Sequence, residues 1–409
     1  MAVEAVRALA ELRMPGAVPA LVQLLKTPNV HPGIRAEAVA AIGRSGDADD
    51  AEILLDLLND RAPQVRASAF GAVAALDPEG LLLAMSGLDP DPDWRVRAAA
   101  ASALATLPAE QAGVLLAGVL EDADARVRQA ALRALASTGA PGADAQLLTA
   151  LGAKEPAVRA AAAEGLATIK ASGASTALRE AFEGSRDEET HVARAAIVTA
   201  LARLDRAAAV PVLEAALQDR EWAVRVRAAT LLGELDPSRR PVAPARPAPS
   251  QLDPRVYTTP AVVTPRYSTH VYIDTDHGTI QIELAVLDAP LTVHNFVGLA
   301  RQGYFDGAPV HRVVPAFVVQ DGDPGGDGSG GPGWTIRDEI NQRPYLRGTV
   351  GMALDGRDSG GSQFFITHGP QPHLDGRYTV FGQVIDGIDV VDRLAQGDVI
   401  RAVRVWDGN

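Results

Sequence analysis

The sequence predicts a multidomain α + β protein: an N-terminal all-α solenoid of tandem helical repeats and a C-terminal closed antiparallel β-barrel with two capping helices. Three observations point there. A Val/Ile–Arg pair recurs at fixed spacing through residues 1–235, prolines crowd residues 236–267, and residues 268–409 alternate apolar and polar in short runs parted by turns. At 409 residues the chain exceeds one ordinary core, so two or more units are expected.

The repeat is legible residue by residue. Ile34–Arg35, Val65–Arg66, Val96–Arg97, Val127–Arg128 and Val158–Arg159 follow one another at 31-residue steps. After a four-residue insertion the register resumes at Ala193–Arg194 and Val224–Arg225, again 31 apart. Eight positions beyond the anchors stand Ile42, Val73, Leu104, Leu135, Leu166, Leu201 and Leu232, so each anchor opens an Ala-rich helix with one apolar stripe. A second apolar segment follows each of the first six, from Ile53–Leu58 to Val210–Leu217. A helix pair of this size cannot bury both faces alone, whereas stacked neighbours can. The VRxAAxxAL pattern resembles HEAT-like repeats of the short bacterial type, which implies a scaffold for a client or partner protein. The anchor arginines are expected to pair with a neighbouring Asp or with loop carbonyls, and Trp94 and Trp222 to pack between repeats. Met1 falls inside a first helix, so either the natural chain starts upstream or the first unit is a degenerate cap.

Composition narrows the function classes. With 47% hydrophobic and 22% charged residues the chain reads as folded rather than disordered. A net charge of −13 argues against general binding to nucleic acid or anionic membranes. There is no cysteine, which excludes disulfides and thiolate chemistry and fits either cytoplasm or periplasm. No run of 18 apolar residues occurs, and MAVEAVRALAEL patterns as an amphipathic helix rather than a signal peptide.

Residues 236–267 hold Pro237, Pro241, Pro244, Pro247, Pro249, Pro254, Pro260 and Pro265, which disfavour helix and central strand and predict an extended linker. Beyond it, Val271–Asp276 and Thr279–Leu284 flank His277–Gly278 as a hairpin, and Asp288–Ala289–Pro290 opens a helix over Thr292–Gln302. Further strands are expected over Val310–Gln320, Gly348–Leu354, Ser362–Thr367, Thr379–Val384 and Ile400–Trp406, with a second helix over Gly387–Ala395. Many strands and two helices suggest the capped barrel.

One strand carries Arg312, Phe317 and Gln320 together: an always-charged planar donor, an apolar ring and a neutral amide. With HRVVPAF-VVQ-DGD over 311–323, GSQFFIT over 361–367 and HLDGRYTVFG over 373–382, residues 268 onward resemble the cyclophilin family of peptidyl-prolyl cis-trans isomerases. The resemblance implies X-Pro isomerisation in proline-containing peptides or protein clients, with no cofactor and no metal. It implies that Arg312, Phe317, Gln320, Gln363 and Phe365 carry catalysis, and that Val318, Ala353, Leu354, His373, Leu374 and Tyr378 line the peptide site. The chemistry agrees. Rotation about an X-Pro bond faces a barrier of about 20 kcal/mol because the amide is conjugated. No bond is made or broken, so a catalyst needs only to favour the twisted amide. Twisting localises a lone pair on the prolyl nitrogen, where a fixed guanidinium stabilises it.

Three positions depart from the family pattern. His373 stands where tight cyclosporin binders carry Trp, which implies weak cyclosporin sensitivity; a nanomolar inhibition constant would refute that. Tyr378 replaces a His, and Leu354 an Asn that holds substrate backbone. GSGGPG over 328–333 opens no helix, so it is a loop rather than a phosphate cradle. Asp321, Asp323 and Asp327 lack the closing Glu of a calcium loop. The rival reading is a scaffold that binds proline peptides without turnover.

Overall fold

The structure is a computed structural model that describes residues 15–188, 190–236, 269–326, 328 and 330–406, with Val6, Ala8, Leu9, Arg255 and Thr259. The expected linker over 236–267 lies outside the described residues apart from Asp236, Arg255 and Thr259. The chain divides into two compact units, residues 1–187 with 193–212 and residues 188–192 with 213–409.

The first unit is a succession of helix pairs: α1 (Val18–Lys26), α2 (Pro32–Ser45), α3 (Ala51–Asp56), α4 (Pro63–Leu76), α5 (Pro78–Met85), α6 (Trp94–Ala103), α7 (Ala109–Val119), α8 (Ala125–Thr138), α9 (Ala143–Ala150), α10 (Pro156–Thr168), α11 (Ala174–Gly184) and α12 (Val192–Leu204), then α13 (Arg206–Ala216), which runs on across the division. Anchor-bearing helices begin just before their anchors, several on a proline at the first turn, where its missing N–H costs nothing. Small residues let them approach closely: a Cβ at Gly43 on α2 would lie 2.6 Å from the Ala72 Cα on α4. The apolar stripe is fully buried through Val39, Ile42, Val65, Val73, Leu104, Leu135 and Leu166.

The anchor arginines Arg35, Arg66, Arg97 and Arg128 tie their own repeats to the next. Arg66 donates to the Asp60 carbonyl at 2.8 Å and, through Nε, to Asp91 at 2.6 Å. Arg97 repeats this with the Asp91 carbonyl at 2.8 Å and Asp122 at 2.8 Å. Arg35 pairs with Asp60 in the same way, and Arg128 bonds the Asp122 carbonyl at 2.6 Å and Glu155 at 2.9 Å. Arg194, after the insertion, reaches the Ser185 carbonyl at 2.7 Å. Trp94 packs under the Arg126 guanidinium, 3.7 Å from its ring centre. The Trp222 side chain lies outside the described residues.

The second unit includes α14 (Trp222–Leu235), where Arg225 donates to the Asp219 carbonyl at 2.6 Å. The unit is built on one antiparallel sheet of β1 (His270–Thr275), β2 (Gly278–Leu284), β3 (Arg312–Val314), β4 (Val318–Asp321), β5 (Thr349–Met352), β6 (Phe364–Thr367), β7 (Val380–Asp386) and β8 (Ile400–Trp406). The strand order is β3-β4-β6-β5-β7-β2-β1-β8. Among the described residues no ladder joins β3 to β8, so the sheet is a curled half-barrel with two edges. The expected closed barrel is corrected: strand count and alternation signal a rolled sheet, but closure depends on pairing between its first and last strands. The helices α15 (Pro290–Arg301) and α16 (Ile388–Arg393) complete the unit. Phe296 on α15 packs against Phe305, Phe364 and Phe381, with ring centres 4.9, 5.4 and 5.3 Å away. Glu339 caps α15 by accepting from the Leu291 and Thr292 N–H groups at 3.0 and 2.7 Å.

The run 310–320 is a tight hairpin rather than one strand. Pro315 cannot donate to a ladder, and Ala316 turns the chain at φ 61°, a conformation unusual outside glycine. Gln371 donates to the Ala316 carbonyl at 3.0 Å and steadies the turn.

Candidate functional site

The hairpin sets the site's register. Arg312 on β3 faces Gln320 on β4, and Gln320 faces Phe365 on β6. Cross-strand neighbours lie about 5 Å apart, so a guanidinium, an amide and an aromatic ring occupy one row. Arg312 Nη1 donates to Gln320 Oε1 at 3.3 Å, and Gln320 Nε2 donates to Gln363 Oε1 at 3.1 Å. Gln363 Nε2 in turn donates to the carbonyls of Gly328 and Gly330 at 2.9 and 3.0 Å. The relay fixes the fork and its direction. Arg312 is exposed at its head and lies 5.8 Å from the Phe317 ring centre.

Beside the relay is an apolar cluster. Val318, Phe365, Leu374, Val380 and Tyr345 form a buried cluster, with Phe317, Ala353 and Tyr378 packed against it. His373 stacks on Phe317 at 5.6 Å and 25°, and Tyr378 meets Phe365 edge-on at 5.8 Å and 88°. The Ala353 N–H donates to the Gln363 carbonyl at 3.0 Å, which joins the end of β5 to the relay. Leu354 packs on the larger core instead and lines a neighbouring cleft.

Tyr345 is absent from the residues expected from sequence. It stacks on Phe365 at 5.5 Å and 22°, and burial raises its hydroxyl well above the ordinary range. It comes from the irregular segment before β5, where no periodicity marks a buried ring. Its counterpart is Gly351, where a Cβ would sit 2.3 Å from the Tyr345 Oη and 2.5 Å from Phe365. Asn295 on α15 supports the far end: it donates to the Gly361 carbonyl at 2.8 Å and accepts from Trp334 at 2.9 Å.

Asp321 continues β4 beneath the glycine-rich loop. Burial pushes its carboxyl up from 3.8 to about 8, with Asp323 adding to the effect. Asp323 accepts from the N–H groups of Gly325 and Gly328, both at 2.8 Å, so it shapes the loop. Asp327 lies outside the described residues. No group of three His, Asp or Glu side chains suited to a metal occurs among the described residues, and none of their helices is long and apolar enough to cross a membrane.

A hairpin-borne arginine is relayed through two glutamines beside an apolar cluster, and comparison with known proteins shows the family. The family described as cyclophilin type peptidyl-prolyl cis-trans isomerase matches residues 270–407, and HEAT repeats match 1–74, 80–167 and 114–193. A peptidyl-prolyl cis-trans isomerase of Synechococcus elongatus is 50% identical over 139 residues, 34% of this chain and 96% of its own. Peptidyl-prolyl cis-trans isomerase B of Bacillus subtilis is 48% identical over 139 residues, 34% and 97% of the two chains. Among solved structures, a Cryptosporidium parvum cyclophilin type isomerase is 31% identical, with a TM-score of 0.34 over 35% of this chain and 100% of its own. The chain belongs to the cyclophilin-type peptidyl-prolyl cis-trans isomerases and carries HEAT repeats ahead of that domain. It is a peptidyl-prolyl cis-trans isomerase.

Proposed function

We propose that catalysis runs through Arg312, with Phe317, Gln320, Gln363 and Phe365, and that Val318, Ala353, Leu354, His373, Leu374 and Tyr378 hold the peptide. The proline ring enters the slot over Phe365 and Leu374. The preceding carbonyl is then free to swing while the ring is held. As the amide twists, the guanidinium donates toward the localised nitrogen lone pair and lowers the barrier. The observation that carries this is the continuous Arg312–Gln320–Gln363 relay, because a donor held before the reaction needs no reorganisation during it. Main-chain groups near Ala353 take over the role of an amide at position 354, and the Tyr378 phenol supplies the slot's polar edge.

The test is exchange of an X-Pro peptide followed by NMR or by a coupled protease. Arg312→Ala should lower kcat/KM by roughly 10²–10³-fold, as for loss of one preorganised donor. Full activity in that variant would falsify the assignment.

The same reading takes residues 1–235 as the HEAT-like solenoid, 236–267 as the linker and 268–409 as the isomerase domain. Arg225 supports the first boundary, since it repeats the anchor bond 31 residues after Arg194. The solenoid binds clients or a partner protein for folding or chaperone work. Leu83 and Val114, 77% and 78% exposed on α5 and α7, favour a protein contact there. Bacterial origin and a cytoplasmic or periplasmic place belong to this reading, supported by the bacterial relatives at 50% and 48% identity.

A further inference from the structure

Beside the proline slot lies a cleft of about 660 Å³ lined by Arg337, Asp338, Leu354, Arg357, Arg377 and Tyr378, among others. Its charge pattern has no part in the isomerisation chemistry. Tyr378 lines this cleft and meets Phe365 edge-on at 5.8 Å. An extended peptide advances about 3.3–3.6 Å per residue, so a group in the cleft belongs to a residue close to the bound proline.

The two aspartates are already engaged. The Asp358 N–H donates to Asp338 at 3.0 Å and the Asp338 N–H donates to Asp358 at 3.0 Å, which pins the 355–359 loop to the 337–340 segment. Arg357 reaches Asp358 only at 3.4 Å, with its side chain 89% exposed. Arg377 is exposed and makes no ion pair among the described residues. Three guanidiniums therefore line the cleft against two carboxylates, each with one oxygen bonded to a backbone amide, in a chain of net charge −13. The Leu354 side chain, which lines the cleft, supplies no hydrogen bond, so discrimination there falls to charge.

We infer that this cleft is a subsite for an acidic side chain of the client, within about two residues of the isomerised X-Pro bond. Planar guanidiniums match a carboxylate through paired N–H donors. The inference rests on the Phe365 slot being the proline site. The experiment uses the full chain and X-Pro peptides carrying Ala, Glu or Lys at each position within two residues of proline. At one position Glu should raise kcat/KM roughly fivefold over Ala, as expected for a partly exposed ion pair, and Lys should lower it. Raising salt to about 0.5 M should compress the difference. The double variant Arg357→Ala/Arg377→Ala should turn over the Ala peptide at the parent rate, which also reports its folding, but no longer separate Glu from Lys. Equal rates for Glu and Lys peptides in the parent, or a preference that survives the double substitution, would overturn the subsite alone. Failure to turn over any peptide would overturn the proline-site reading and the subsite with it.

Discussion

Arginine does opposite work in the two units. In the helical repeats Arg97 makes four bonds: two to Asp122 at 2.8 and 3.1 Å and two to the carbonyls of Asp91 and Pro92 at 2.8 and 3.1 Å. Its guanidinium holds the Asp122 carboxyl below the ordinary range. In the sheet unit Arg312 has one neutral amide at 3.3 Å and the Phe317 ring 5.8 Å away, and no carboxylate among the described residues. A compensated cation locks structure. In the proposed mechanism, an uncompensated one that is still aimed by neutral partners keeps its field for a substrate. The glutamines matter for that reason: a carboxylate at position 320 would aim the fork equally well and cancel its charge.

Exchanging the two removals tests the contrast. The largest effect is the activity loss of roughly 10²–10³-fold in Arg312→Ala, which should come with a stability change within about 0.5 kcal/mol, as for a surface site. Arg97→Ala should do the reverse. It removes the arginine donor from Asp122 and from two loop carbonyls and should lower stability by about 1–3 kcal/mol in chemical denaturation, while kcat/KM stays at the parent value. A rate loss in Arg97→Ala, or a comparable stability loss in Arg312→Ala, would break the comparison.

A smaller effect sharpens it with a buried acid. Asp321 ionises near 3.8 in the unfolded chain and at about 8 when folded, so its contribution to stability is fullest below pH 4 and declines as pH rises through 8. Asp321→Asn keeps an acceptor for the Gly322 N–H and removes the titration. The variant's Tm relative to the parent should therefore climb between about pH 4 and pH 8 and level off above. A constant difference across that range would show that Asp321 is not held neutral.

Much of this was legible in the sequence, for physical reasons that also explain the rest. The 31-residue step exposes the repeats because every unit must present the same anchor to its neighbour. The paired hydrophobic alternations place β1, β2 and β8 to within a residue. Apolar content alone suggests one strand over 310–320, whereas Pro315 and Ala316 break the ladder and create the hairpin that puts Arg312 opposite Gln320. Closure of the sheet depends on whether β3 and β8 meet, a long-range matter that local alternation does not encode. Tyr345 stayed hidden because its stacking on Phe365 depends on Gly351, which lacks the atom that would collide.

The arginine clamps carry a consequence for how such chains change length. Each clamp runs from a loop carbonyl six residues behind to a carboxylate twenty-five ahead in Arg66 and Arg97. Excising or duplicating any 31-residue block within this stretch rejoins an arginine with an equivalent loop and an equivalent acid. Unequal recombination can therefore lengthen or shorten the array in whole units without a compensating mutation, and the number of repeats becomes a quantity that selection can adjust independently of the enzyme.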